Sequence, residues 1–234
     1  YIYEPCLFSA PDFDASHLVF INESLVELRH RIRELGGELL IRNGDAQTVF
    51  EQLYRQHPFT AIHSHQETGN MVSYRRDQAV AQWVKNQGIQ WHESLQHGVF
   101  RRLEDRDGWA HRWATMMRAE AIEEPNQIKA ISGLTPGPIL DATELGIEAS
   151  TKNEAQHGGQ SLAQETLVSF LTDRGADYRT EMSSPVTAGS GCSRLSPYLA
   201  YGNLSMRTVL QRTENQQKLA KDFPKRPDGT RSPW

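Results

Sequence analysis

The chain has only two cysteines in 234 residues, Cys6 and Cys192. They lie far apart and form neither a disulfide framework nor a C-x-x-C metal pair, so a reduced, cytoplasmic setting is the simpler expectation. Long apolar runs are missing as well. None approaches the roughly 18–20 residues of a membrane span, and no signal peptide is legible. Charge of one sign is scarce: 25 Lys and Arg against 29 Asp and Glu leave a formal charge of −4, without the global basicity of a chromatin-type binder. No G-x-G-x-x-G follows a strand, no P-loop occurs, and there is no G-x-S-x-G nucleophile elbow.

What is present describes a globular chain. Hydrophobic residues make up 38% and charged residues 23%, and the length suits one large domain or two modest ones. The chain opens on Tyr1-Ile2-Tyr3, already strand-like, and stops at Trp234 without a terminal signal, so it reads as a segment of a longer protein. Over the first hundred residues, short apolar runs alternate with amphipathic ones. Tyr1–Tyr3, Leu39–Ile41, Thr60–Ser64 and Ile89–His92 read as strands. Helices are expected over Ser16–Leu35, after a cap at Asp45, and from about Asn70 to Asn86, ending at Gly88. Strands alternating with helices predict an α/β fold with a parallel, doubly wound sheet.

The composition then changes. Arg101, Arg102, Arg106 and Arg112, interleaved with Glu104, Asp105 and Asp107, predict a solvated mixed-charge loop. Residues 120–160 hold Pro125, Pro136, Pro138 and several glycines with little periodicity, which predicts a linker rather than core. A helical register returns near Ser161, followed by a loop from Arg174 to Gly191. A final helix is expected over Arg194–Gln216, with Ser193 or Ser196 as its cap. Lys218, Lys221, Lys225, Arg226 and Arg231 form a more one-signed tail, of a kind that can approach a phosphate backbone.

The densest chemistry lies in Gly191-Cys192-Ser193-Arg194-Leu195-Ser196-Pro197. Small hydroxyl and thiol groups let a ligand approach the backbone, and hydroxyls, backbone N–H groups and a guanidinium can together hold a phosphate. An ordinary capped helix start explains the same residues, and the two readings are compatible. Glu67-Thr68-Gly69-Asn70, with Tyr74, Arg76 and Asp77, follows the third strand, where ligand crevices open in parallel sheets. It reads either as a capped helix with a structural ion pair or as the lip of a pocket. His63 and His65 share a strand face but lack further ligands, so no metal site is expected. Trp83 and Trp91 fit packing positions.

Gly158-Gly159 ahead of an amphipathic helix, Tyr178, Pro185 and the run from Ser193 to Ser205 together resemble the opening of the FAD-binding domain of the photolyase/cryptochrome family. The resemblance implies an α/β Rossmann-like domain at residues 1–112 with its first strand missing, an interdomain linker at 113–157, and the start of an all-α FAD-binding domain at 158–234. It implies FAD as cofactor, with Tyr178, Cys192, Ser193, Arg194, Leu195 and Ser196 around it. Cys192 stands where the family usually has threonine. An antenna chromophore of folate or deazaflavin type is implied for the α/β domain. The implied activity is light-driven splitting of pyrimidine dimers in damaged DNA by a monomeric enzyme, with no catalytic residue inside this segment. A cryptochrome-type blue-light photoreceptor and a nucleotide-binding or electron-transfer flavoprotein without DNA are the alternatives.

Overall fold

A computed structural model describes residues 1–221. The chain forms two compact units, one from residues 1–106 and 124–155, the other from 107–123 and 156 onward.

The first unit carries β1 (Ile2–Tyr3), α1 (Pro5–Phe8), α2 (Ala15–Glu34), β2 (Arg42–Asn43), α3 (Ala46–Gln56), β3 (Ala61–His65), α4 (Met71–Gln87) and β4 (Gln90–Ser94). β1 pairs with β2 and β3 with β4, both in parallel, so the described residues form two two-stranded sheets. Local chemistry sets the helix ends. Asp45 accepts from the Thr48 N–H at 3.0 Å, and Asn70 caps α4 through the N–H groups of Val72 and Ser73. α4 stops at Gly88, whose φ of 70° suits glycine. One core cluster gathers Ala46, Val80, Trp83, Val84 and Ile89; the other gathers Tyr3, Leu18, Leu25 and Ile41.

Two expectations need correction here. The second strand is paired at Arg42–Asn43 rather than at Leu39–Ile41, because the Ile41 N–H is taken by the Pro136 carbonyl at 2.7 Å. The Pro- and Gly-rich stretch is also not merely solvated chain. Ile139, Leu140, Ala142, Leu145 and Ile147 pack on the second core cluster, and Arg29 donates to the Gly137 carbonyl at 2.7 Å. The segment lies so close that a Cβ on Gly137 would stand 2.2 Å from the Ile41 carbonyl oxygen. The expected linker at 113–157 is thus divided between the two units.

The second unit carries α5 (Trp109–Arg118), α6 (Gln160–Thr172), a 3-10 turn at Arg174–Asp177, α7 (Tyr178–Glu181), α8 (Ala188–Gly191), α9 (Ser196–Ala200) and α10 (Met206–Lys221). α6 follows Gly159, whose φ of 117° and ψ of 149° are essentially restricted to glycine, and it buries Ala163, Leu167, Phe170 and Leu171. α10 lies against α5: Gln211 donates to the carbonyls of Met117 and Ala119, and Arg118 pairs with Glu214. The single helix expected over 194–216 is broken, because Gly202 turns the chain at φ 76° and Leu204 donates back to the Tyr198 carbonyl. Lys218 is exposed on α10. Lys225, Arg226 and Arg231 lie outside the described residues.

Candidate functional site

The loop between α8 and α9 is built from its carbonyls outward. Arg174 directs its guanidinium at it and at the end of α8, donating to the carbonyls of Ser190 in α8 (3.2 Å) and of Cys192 (2.7 Å) and Ser193 (3.3 Å) in the loop. Nε of Arg174 reaches Ser169 Oγ at 3.0 Å and Nη2 reaches the Thr166 carbonyl at 3.1 Å, both on α6. A trans peptide points its C=O and N–H in opposite directions, and no peptide among the described residues is cis. The N–H groups of Ser193 and Arg194 therefore face away from Arg174. Gln156 Nε2 donates to the Arg194 carbonyl at 2.8 Å, which turns the Leu195 N–H away from Gln156 in the same manner. Among the described residues these three N–H groups have no hydrogen-bond acceptor.

Backbone conformation completes the shape. Arg194 has φ of 60°, and Leu195 follows in the right-handed helical region at φ −90°, ψ −12°. Alternating hand over consecutive residues is how successive N–H groups form an anion-binding concavity. The sequence offers Ser193 or Ser196 as the cap of this helix, but neither fills that role. Leu195 holds the N-cap position of α9 without a side-chain bond, so the serine hydroxyls are not committed to capping.

The residues expected around a cofactor separate by environment. Arg194 and Ser196 are exposed, and Cys192 and Ser193 are half-buried. Leu195 is buried, so its backbone is the part on offer while its side chain packs. The Arg194 guanidinium has no hydrogen-bond or ion-pair partner among the described residues. Tyr178 sits edge-on to Phe170, with ring centroids 5.4 Å apart. Gly191 is tightly fitted: a Cβ there would meet the Glu181 Cβ at 2.6 Å.

A second polar centre lies in the first unit. Arg76 on α4 pairs with Glu4 at 2.5 Å, Asp77 at 2.7 Å and Glu67 at 3.2 Å. Glu4 is buried, which pushes its carboxyl above the ordinary glutamate value against the pull of Arg76. Burial also raises Asp77. Arg101 donates to the Glu67 carbonyl and pairs with Glu93 at 2.9 Å. The mixed-charge loop is therefore anchored at its first residue rather than wholly solvated. Beside this network, Glu67, Thr68, Gly69, Asn70, Tyr74 and Arg101 line a hollow of about 780 Å³. The capped helix and its ion pairs are both present, and the hollow lies next to them. His63 and His92 stack at 4.7 Å across β3 and β4. No group of three or more metal-ligating side chains occurs among the described residues, and no described helix is long and apolar enough to cross a membrane.

The family model for DNA photolyase matches residues 1–119. The chain belongs to the DNA photolyase family. Among relatives of this family, a cryptochrome DASH from Natronomonas pharaonis is 26% identical over 228 residues, covering 90% of this chain and 48% of its own length. A bacterial class III photolyase from Agrobacterium tumefaciens shares the fold with a TM-score of 0.71 at 18% identity, over 93% of this chain and 47% of that one. An archaeal photolyase from Sulfolobus tokodaii, solved with two FAD molecules, gives a TM-score of 0.63 at 18% identity, over 94% of this chain and 49% of that one. The chain thus spans about half the length of these photolyase-family proteins.

The residue types at 191–197 single out this loop in the sequence, whereas nothing in the sequence singles out Arg174. Arginine in a polar loop is an ordinary solvated residue by composition, and all five of its acceptors are main-chain or hydroxyl oxygens, which carry no sequence signature of a partner.

Proposed function

We propose that this chain is the part of an FAD-dependent, light-driven DNA repair enzyme in which the loop 192–196 receives the flavin diphosphate. The observation carrying this reading is the set of backbone N–H groups of Ser193, Arg194 and Leu195 turned away from the oxygens bonded to Arg174 and Gln156. Beside them stands an exposed guanidinium with no partner among the described residues. A diphosphate needs those two things together, oriented donors and positive charge. Cys192 offers a weak thiol donor where a hydroxyl would be stronger, so the backbone donors carry more of the contact. Tyr178, at the start of α7 and edge-on to Phe170, is read as a wall of the same site.

Bound FAD would supply a photoexcited electron donor, while the chain's own residues hold its diphosphate and fix its position. The substrate is DNA containing pyrimidine dimers, where a damaged base leaves the stack more cheaply than a sound one. The hollow beside Glu67 and Arg101 is the place in the α/β unit for an antenna chromophore of folate or deazaflavin type. The second flavin of the Sulfolobus protein supports an additional chromophore in this family. The cryptochrome DASH relative supports a blue-light photoreceptor as the second reading.

One experiment separates these readings. The whole protein is purified, its flavin measured, and the reduced form illuminated with dimer-containing DNA. Loss of dimers supports repair. Retained FAD without repair of any dimer type turns the reading to photoreception. Failure to retain FAD overturns both.

A further inference from the structure

We infer that Arg174 is a positioning residue for the flavin diphosphate: it shapes the loop's backbone so that the N–H groups face the ligand, without touching the ligand itself. This rests on the reading of 192–196 as the diphosphate cradle. A guanidinium has five N–H donors, and Arg174 makes five hydrogen bonds, to Ser169 Oγ and to the carbonyls of Thr166, Ser190, Cys192 and Ser193. Its donor capacity is filled by the protein. Its Cζ also rests 5.9 Å from the centroid of the Phe170 ring, which supports the fan of bonds from one side.

The bonds fall into two sets. Thr166 and Ser169 belong to α6, a thirteen-residue helix with a buried face. Ser190 lies in the last turn of α8, and Cys192 and Ser193 belong to the loop that follows it. Arg174 thus references the loop's carbonyls to a rigid element. Planar peptides transmit that constraint: fixing the Cys192 and Ser193 carbonyls fixes the Ser193 and Arg194 N–H groups on the opposite side. It also helps hold Arg194 at its positive φ, a conformation that a non-glycine residue adopts only when its surroundings impose it. Arg174 and Arg194 therefore divide the work. Arg174 is committed to the backbone, and Arg194 stands free to meet an anion.

The planar fork is what makes this geometry, and lysine keeps the charge without the fork. The test is Arg174→Lys in the whole protein, with FAD affinity, thermal midpoint and the 31P NMR spectrum of the bound diphosphate measured together. The expected result is a folded protein that binds FAD roughly tenfold more weakly, the scale of losing an oriented contact to an anion, with shifted 31P resonances in the bound fraction. Affinity within about twofold of the native protein with unchanged 31P signals overturns the inference, as does weakened binding with unchanged signals, which is the mark of a purely structural role. Should Arg174→Lys not fold, Ser169→Ala removes only the acceptor for Nε. A displaced 31P signal with a loss of about threefold supports the inference, and an unchanged spectrum overturns it. A native protein that retains no FAD overturns the cradle reading and this inference with it, whereas native retention with indifferent variants leaves the cradle standing and removes only the role of Arg174.

Discussion

The backbone N–H of Ile41 donates to the carbonyl of Pro136 across ninety-five residues of sequence, at 2.7 Å. Leu39–Ile41 has the composition of a strand, and here its hydrogen bonding is completed by a proline-containing return segment. That segment then continues into Ile139 and Leu140, which cover the core cluster around Tyr3 and Leu18. Residues 124–155 are therefore part of the first unit's fold.

Truncating the covering side chains should be felt. Ile139→Ala is expected to destabilise the protein by about 1–2 kcal/mol, the low end for aliphatic truncation because the site is half-buried. Ile131→Ala in the same segment is the control, since Ile131 is 61% exposed, and a change within about 0.5 kcal/mol is expected there. Urea midpoints measure both. Equal, negligible effects would return 124–155 to the status of a solvated linker.

Glu4 offers a pH-dependent test. Burial raises its folded-state pKa above the ordinary value of 4.5 although Arg76 opposes the shift. A carboxyl raised in this way stabilises the fold fully below its unfolded pKa, and loses that contribution as pH rises through the folded value. The native protein should therefore lose stability relative to Glu4→Gln between about pH 4 and neutrality. Asp77, also raised by burial, is present in both proteins and largely cancels in the comparison. Denaturant midpoints at the two pH values decide it, and a difference that does not vary with pH would show that Glu4 keeps one charge state throughout.

Arg194 and Arg102 are both exposed arginines with positive φ, which makes them a matched pair. Arg194→Ala is expected to lower FAD retention by roughly tenfold or more, through loss of one charge-assisted contact to a phosphate. Arg102→Ala should leave retention within about twofold. Flavin content after extensive dialysis reports both, and similar values would assign Arg194 to structure alone.

Gly191→Ala is expected to disturb the loop without adding charge. The new methyl would collide with the Glu181 Cβ and carboxylate, so α7 or the loop must move. A loss of about 1–3 kcal/mol follows from overpacking a close contact, with weaker FAD retention in parallel. Thermal midpoints that stay at the native value would show that α7 yields freely.

Much of the fold was legible because its signals are local. Asp45, Asn70 and Gly88 announce helix ends through bonds to residues at most four positions away, and each is found in that role. The buried stripe of α6 shows in its own spacing. What was not legible depends on distant partners. Arg101 looked solvated because the Glu67 carbonyl that binds it lies 34 positions back. Residues 139–147 lack any period because they pack as a strap rather than as a helix or strand. The break at Gly202 was hidden inside a continuous helical register. For the candidate site, the residue types from Cys192 to Ser196 pointed to an anion. The device that orients their backbone did not, because carbonyl oxygens carry no side-chain signature.

The positive φ of Arg194 sets two selective pressures against each other. Asparagine tolerates that conformation better than other non-glycine residues, so Arg194→Asn should give a fold at least as thermostable as the native one. It would also discard the Arg194 guanidinium, which has no partner among the described residues and which the proposed function assigns to the flavin diphosphate. Selection for heat resistance alone would drift away from arginine here, and selection for cofactor retention would restore it. A library screened separately for each property should therefore diverge at position 194.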